Sequence, residues 1–152
     1  MRDSTVPVLA PVSVGEPSDS TLAKVAGLAA LGAALPAAVT TLVGGDQGVG
    51  GLVFIVALIV LVTLAVFVLA IPSALTLEEP GPSVVALALS GLALFTVLLF
   101  WSGLPAVLGA GGIVLGRTQL HVPEDRRLAL AATRLGAAAI ALYVLLSIAD
   151  LA

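Results

Sequence analysis

Long apolar runs separated by short polar stretches dominate the pattern of this chain. The clearest run, 52–71, reads LVFIVALIVLVTLAVFVLAI and contains no charged residue. Its length is too great for a buried strand and matches the roughly 20 residues with which an α-helix crosses a bilayer core. We therefore predict a transmembrane helix that ends or kinks at Pro72-Ser73, because a proline disrupts the helical hydrogen bonds before it.

Two further segments have the length of a membrane span. Segment 25–45 is uncharged, follows helix-capping residue types at 18–21 and contains Pro36, which predicts a kink. The last segment, 126–149, follows Pro123-Glu124-Asp125, and acidic residues at this position stabilise the positive end of a helix dipole. Both segments are predicted to be membrane helices.

The uncharged region 84–116 admits two interpretations. As a single straight helix its 33 residues would be about 50 Å long, which exceeds the roughly 30 Å of a hydrocarbon core. Trp101-Ser102-Gly103-Leu104-Pro105 divides the region. One interpretation is a hairpin of two helices, 84–101 and 105–116. The other is one long, tilted and kinked helix.

The basic residues distinguish these two interpretations, because Lys and Arg favour the cytoplasmic side of a membrane. In a hairpin, five of them share one side, and the other side carries Asp46 and Asp150 but no basic residue. In a single crossing, the three basic residues of the C-terminal half would lie on the opposite side of the membrane from the two near the N-terminus. The rule therefore favours the hairpin, with the N-terminus cytoplasmic and the C-terminus outside. The five residues are Arg2, Lys24, Arg117, Arg126 and Arg127.

Composition supports a membrane protein and excludes several alternatives. The chain is 60% hydrophobic and 10% charged, and so few polar residues cannot cover a water-soluble fold. It has no cysteine for a disulfide or a thiolate metal site, and its six scattered basic residues do not indicate nucleic-acid binding. We predict an all-α integral membrane helical bundle of about four hydrophobic segments, the third a broken helix or helical hairpin. Residues 1–20 form a flexible tail before a single transmembrane domain, 21–152.

Small residues at helical spacing are the first candidate contact sites. Gly112 and Gly116 lie four residues apart on one helix, and a stripe of small residues follows the last helix. Such positions allow two helix backbones to approach closely, either within the bundle or between chains. We favour packing within the bundle. The stripe consists of Ala129, Thr133, Ala137 and Ala141.

Arg134 is the one charge well inside an apolar segment, which makes it a candidate functional residue. If it were buried, Glu78, Glu79 or a partner carboxylate would be its counter-ion. The favoured alternative is that its long side chain reaches the cytoplasmic interface. The predicted basic cluster on that side consists of Arg117, Arg126 and Arg127.

No arrangement of residues indicates catalysis. His121, Glu124 and Asp125 lie in one loop, where a metal site would lack a fixed geometry, and a solvated loop residue is the favoured interpretation of His121. The hydroxyls inside the apolar segments have no acid or base at a helical spacing, and such hydroxyls usually bond to their own helix. We predict no catalytic site, no cofactor and no metal.

Four motifs in the C-terminal half resemble a family of small bacterial membrane modules of unknown function. They are ALALSGLAL at 86–94, LPAVLG at 104–109, GIVLGR at 112–117 and RLALA at 127–131, the last continuing to Gly136. The family pattern is a glycine-rich apolar helix, a proline break, an IVLGR-like end, a polar loop and an Ala/Gly-rich helix. Arg134 departs from it, because these modules are usually apolar there. The resemblance implies no catalytic residue.

Two functions fit these features, and a third, a membrane enzyme, is the least favoured because no acid–base pair is visible. The first is a non-enzymatic accessory, assembly or scaffold subunit that lies in the lipid bilayer and associates with another membrane protein or with itself. The second is a small transporter or channel subunit that uses the broken third segment, Arg134, and Thr40 and Thr41. The Ala-, Gly- and Val-rich composition suggests a bacterial inner membrane.

Overall fold

The computed structural model describes residues 19–44, 48–78 and 81–150. Within them five main helices and no strand occur. Most of the predicted tail lies outside the described residues, although its last two positions, Asp19 and Ser20, already belong to the first helix. The helices are α1 (Asp19–Gly44), α2 (Gly48–Leu64, continued by Ala65–Ala70 and Ile71–Leu75), α3 (Gly81–Phe95, continued by Thr96–Ser102), α4 (Leu104–Thr118) and α5 (Arg126–Asp150).

The predicted all-α membrane bundle is confirmed in its helical content and in the nature of its helices. Three described segments are long and apolar enough to cross a membrane: Val49–Leu75, Gly81–Leu99 and Arg126–Asp150. Helix α1 runs through Pro36 to Gly44. The side chains of Thr40 and Thr41 lie outside the described part, so their predicted role has no structural counterpart.

Helix α2 passes through Pro72 and ends at Leu75, beyond the end or kink predicted at Pro72-Ser73. The preceding residues, Ala65–Ala70, form a π-helix, and the backbone N–H of Ile71 donates to the carbonyl of Val66. Pro72 has no N–H and its ring crowds the carbonyl four residues earlier. A π-turn just before it widens the helix and accommodates the proline without ending the helix.

The region 84–116 forms the predicted hairpin, and the single long helix is wrong. Gly112 of α4 packs against Ala86 and Ser90 of α3, so the two helices lie side by side and run in opposite directions. The chain loses helical geometry at Leu99 (φ −105°, ψ 41°). It then reverses at Gly103, whose φ of 69° is in the left-handed region that favours glycine.

Helix α4 lies at the centre of the bundle, with α3 and α5 on one side and α1 and α2 on the other. The core combines large aliphatic side chains from α2 and α4 with alanines from α3 and α5. Its fully buried members include Ile59, Ile71, Val107, Leu115, Ala86, Ala93, Ala132 and Ala139.

Successive helices run in opposite directions. Gly109 of α4 meets Gly136 of α5, whereas Gly116 meets the earlier Thr133. The contacts of α4 with α1, α2 and α3 show that these helices also alternate in direction along the chain. The starts of α1, α3 and α5 therefore share one end of the bundle with the ends of α2 and α4. We call it the basic end, because it carries Lys24, Arg117, Arg126 and Arg127, together with Glu78.

Candidate functional site

Glycines on α4 let three helices approach it closely. A methyl group built on Gly109 would lie 2.9 Å from the carbonyl oxygen of Gly136, and one built on Gly111 would lie 2.5 Å from the Cγ1 of Val66. Real Cβ atoms do not approach so closely, so glycine is required at both positions unless the neighbours move. Helix α4 is therefore packed against the backbone of α5 and against the Val66 side chain of α2.

The two predicted packing glycines are both buried, but they face different helices. A methyl group on Gly112 would overlap the Ser90 hydroxyl of α3. One on Gly116 would lie 2.8 Å from the Thr133 Oγ1 and 3.0 Å from the Ala129 carbonyl oxygen of α5. Both contacts are within the bundle. Packing within the bundle was the favoured prediction for these glycines, and packing between chains was the alternative.

The predicted small-residue stripe on α5 is divided by the structure. Ala129 is buried and Thr133 is half-buried, with its hydroxyl donating to the Ala129 carbonyl at 2.8 Å. Ala137 and Ala141 are exposed and make no part of this contact. Gly136, which the predicted stripe did not include, is the residue that faces α4 instead. The sequence could have indicated this contact, because Gly136 is the only glycine in this alanine-rich helix.

Two serines on α3 are fully buried, and the structure gives their hydroxyls no hydrogen-bond partner: Ser83 and Ser90. The Ser90 hydroxyl lies between Gly112 and Gly136, so the space for it comes from two missing side chains. Other buried hydroxyls donate to carbonyls of their own helix. Examples are Thr63 to Ile59 at 2.7 Å, Thr96 to Ala93 at 3.0 Å and Ser147 to Tyr143 at 2.8 Å. Each of these hydroxyls thus bonds to the backbone of its own helix.

The candidate charge Arg134 is exposed, on the side of α5 opposite the buried Ala132, Gly136 and Ala139. It shares this side with three exposed alanines. We call the set the outward face of α5; it consists of Arg134, Ala137, Ala138 and Ala141. Arg134 thus lies on the same side of α5 as Ala137 and Ala141, the two residues of the predicted stripe that do not pack within the bundle.

The remaining charged candidates lie at the basic end. Arg117, Arg126 and Arg127 are exposed there, as are His121 and Glu124. Asp125 differs, because its side chain is 5% exposed and its carbonyl accepts a hydrogen bond from the Ala129 N–H at 2.9 Å. It therefore starts α5, as predicted from the sequence. Within the described residues, no three His, Cys, Asp or Glu side chains are grouped as a metal site would require.

An apolar groove of about 260 Å³ lies between α1, α4 and α5. The Tyr143 hydroxyl at its wall shares its single proton between the carbonyls of Ala33 and Gly32, at 3.3 and 3.4 Å. These bonds attach α1 to α5. The groove is lined by Val25, Leu28, Ala29, Gly32, Ala106, Ala110, Ile140, Tyr143 and Val144, so hydrocarbon is the chemistry it fits.

No protein-family model, no curated protein and no solved structure matches this chain. The resemblance of its C-terminal half to small membrane modules therefore stays an expectation from the sequence.

Proposed function

We propose that this protein is a non-enzymatic accessory, assembly or scaffold subunit of the cell membrane that binds another membrane protein. The observation that carries the proposal is the outward face of α5. Small side chains allow a partner helix to approach closely in a bilayer, where helix association depends on packing. Ala129 and Thr133 are occupied within the bundle, whereas Ala137 and Ala141 remain exposed beside Arg134. A second copy of this chain is the alternative partner.

The proposed orientation places the basic end in the cytoplasm. Lys24, Arg117, Arg126 and Arg127 share that end, and Asp150 lies toward the other. Basic residues in short loops are retained on the cytoplasmic side. The N-terminus is then cytoplasmic and the C-terminus outside. The Ala-, Gly- and Val-rich composition fits a bacterial inner membrane.

Purification from the native membrane in mild detergent, followed by mass spectrometry, tests the proposal. We expect a second membrane protein in a fixed ratio. The double variant Ala137→Leu/Ala141→Leu should lose it, because two larger side chains would hold a partner helix away. The matched control Ala57→Leu/Ala65→Leu makes the same change on the exposed side of α2 and should retain it. Isolation of the native chain as a monomer would overturn the proposal.

A specific observation also favours the second function, a small transporter or channel subunit. The α3–α4 connection is broken at Leu99 and reverses at Gly103, and broken helices inside a membrane are frequent at transport sites. Proteoliposomes that release trapped ions faster than protein-free vesicles would support this function. If Arg134→Ala left such a flux unchanged, the role assigned to Arg134 would be excluded.

A further inference from the structure

The turn between α3 and α4 packs against the middle of α1 and α2. A methyl group on Gly103 would lie 2.8 Å from the Ala33 Cβ and 3.1 Å from the Ile59 Cδ1. Ala33 lies near the centre of Asp19–Gly44. Ile59 lies well inside the continuous helical stretch that begins at Gly48. The α3–α4 hairpin therefore stops about halfway along its two long neighbours.

Helix geometry gives the size of this offset. At 1.5 Å per residue, both the stretch from Ala33 to Gly44 and the stretch from Ile59 back to Gly48 are about 16 Å long. The far ends of α1 and α2 thus extend about 16 Å beyond Gly103. Helix α4, with 15 residues, is itself only about 22 Å long, which is shorter than a hydrocarbon core of roughly 30 Å.

The extension beyond the turn is strongly apolar on its outside. Large hydrophobic side chains of α1 and α2 are exposed there, with Val49 80% and Phe54 68% accessible. If Gly103 lay at the membrane surface, this whole extension would stand in water. A position of Gly103 at mid-depth instead keeps it in hydrocarbon. Among the described side chains of this part, the other exposed large hydrophobic ones are Leu35, Val39, Val53 and Val56.

Two basic residues independently indicate the same depth. Lys24 lies nine residues before Ala33, and Arg134 lies nine residues before Tyr143, whose hydroxyl bonds to the Ala33 carbonyl. Both are therefore about 14 Å from the level of Gly103, toward the basic end. Half of a hydrocarbon core is about 15 Å. With Gly103 at mid-depth, both charges reach the interface, whereas a membrane shifted toward the basic end would place both inside the core, where charges are costly.

We infer that α3 and α4 form a re-entrant hairpin, which enters and leaves the bilayer at the basic end and turns at Ser102–Gly103 near mid-depth. Helices α1 and α2 then cross the membrane completely, and α5 ends at Asp150, about 10 Å beyond the level of Gly103 in the far half of the bilayer. Segment Gly81–Leu99 is long enough to cross. However, its start lies at the basic end, farther from the level of Gly103 than Lys24 is. Its continuation ends at the level of Ala33, which is mid-depth. The inference concerns depth alone and does not depend on any partner.

The turn has the backbone hydrogen bonding that this depth requires. Irregular backbone inside a membrane needs partners from the protein, because lipid supplies none. The Ser102 hydroxyl donates to the Leu99 carbonyl at 2.6 Å and accepts from the Leu104 N–H at 3.4 Å. Ser102 and Gly103 are both buried. The exposed side chains at the tip are apolar, among them Leu98 and Trp101, so they suit contact with acyl chains.

Trp101 is the only tryptophan of the chain, and its fluorescence can measure the depth of the turn. The full-length protein is reconstituted with phospholipids brominated either near the headgroup or near the methyl end of the chain. A re-entrant turn predicts at least twofold stronger quenching by the deep bromines. Stronger quenching by the shallow bromines would overturn the inference, because tryptophan at a completed crossing lies in the interfacial belt.

Two matched variants calibrate this measurement. In a Trp101→Phe background, Val49→Trp places the reporter at the far end of α2 and should be quenched by shallow bromines. Val60→Trp, one residue from Ile59, should be quenched by deep ones. Both positions are exposed. A second readout uses the absence of native cysteine. An impermeant maleimide should label His121→Cys from one side and Leu98→Cys from neither. Labelling of Leu98→Cys from the side opposite His121→Cys would overturn the inference.

Discussion

The two halves of this bundle differ in the contacts between their helices. Large apolar side chains point outward in both halves; Phe54 of α2 and Leu145 of α5 are each about two-thirds exposed. In the first half, nothing lies within 4 Å of a methyl group built on Gly27 of α1. Helices α3, α4 and α5 instead meet through glycine, alanine and serine, with Gly109 and Gly136 in contact at backbone distance. Both halves thus present large side chains to lipid, whereas the second half also places its smallest residues at the contacts between helices.

This difference follows from the solvent. In water, large aliphatic residues would be buried because contact with water is unfavourable. In a bilayer, lipid chains are as apolar as leucine, so burial brings little gain and close packing of small residues decides which helices associate. Hydropathy therefore predicts where the segments insert, while the pattern of small residues predicts how they pack.

The largest effect is expected from filling the contact between α4 and α5. We expect Gly109→Leu to lower stability by about 3 kcal/mol, the upper end of typical overpacking costs, because the obstacle is the backbone of Gly136. Gly91→Leu is the control, since nothing lies within 4 Å of Gly91 on α3, and it should not lower stability, because it removes a helix glycine without creating a clash. Thermal unfolding in detergent measures both. Equal effects would show that the small-residue contact does not hold this half together.

The second prediction concerns the turn where the two halves meet. Gly103→Ala should cost about 2 kcal/mol, because a non-glycine residue is strained at a φ of 69° and the new methyl group approaches Ala33 of α1. Gly27→Ala on α1, where nothing lies within 4 Å, should instead stabilise by about 0.5–1 kcal/mol. The same unfolding assay applies. A neutral Gly103→Ala would contradict the close contact of the turn with α1.

A smaller effect is expected at the hydrogen bond between the halves. Tyr143→Phe keeps the ring but removes the hydroxyl that donates to the Ala33 carbonyl at 3.3 Å. Interhelical hydrogen bonds in membrane proteins contribute about 0.6 kcal/mol on average, so we expect a loss of that size. Proteolysis of α1 should increase along with it. A loss above about 2 kcal/mol would show that this bond does more than attach α1.

The smallest effect is predicted inside the tightly packed half. The Ser90 hydroxyl is buried and has no hydrogen-bond partner in the structure, and removing such a group is neutral or slightly stabilising. Ser90→Ala should therefore change the unfolding temperature by no more than experimental error or raise it. A clear decrease would mean that this hydroxyl has a partner, such as a buried water, and that polar contacts contribute to this half.

The sequence predicted the elements that depend on local chemistry. The uncharged stretch 52–71 required a membrane helix, and the Gly-Pro break at 103–105, together with the positions of the basic residues, indicated the hairpin. It did not predict the course of α2 through Pro72, because a π-turn depends on neighbouring packing. It also grouped Gly112 with Gly116, although a separation of four residues is enough to direct them toward different helices.

The candidate contact sites were predicted only in part, for a similar reason. The stripe on α5 was drawn from residue size alone, and size does not say which side faces inward. The structure covers Ala129 and leaves Ala137 and Ala141 exposed. Gly136 and Ser90 were missed as a contact because they lie on different helices, and a single sequence does not show which helices are neighbours.

Single-cysteine labelling tests the arrangement of the helices most directly. The native chain has no cysteine, so Ser20→Cys, His121→Cys and Asp150→Cys can each be examined alone in intact membrane vesicles with an impermeant maleimide. All three positions are exposed. We expect Ser20→Cys and His121→Cys to be labelled from the same side and Asp150→Cys from the other. Labelling of Ser20→Cys and His121→Cys from opposite sides would contradict the hairpin on which this description of the bundle depends.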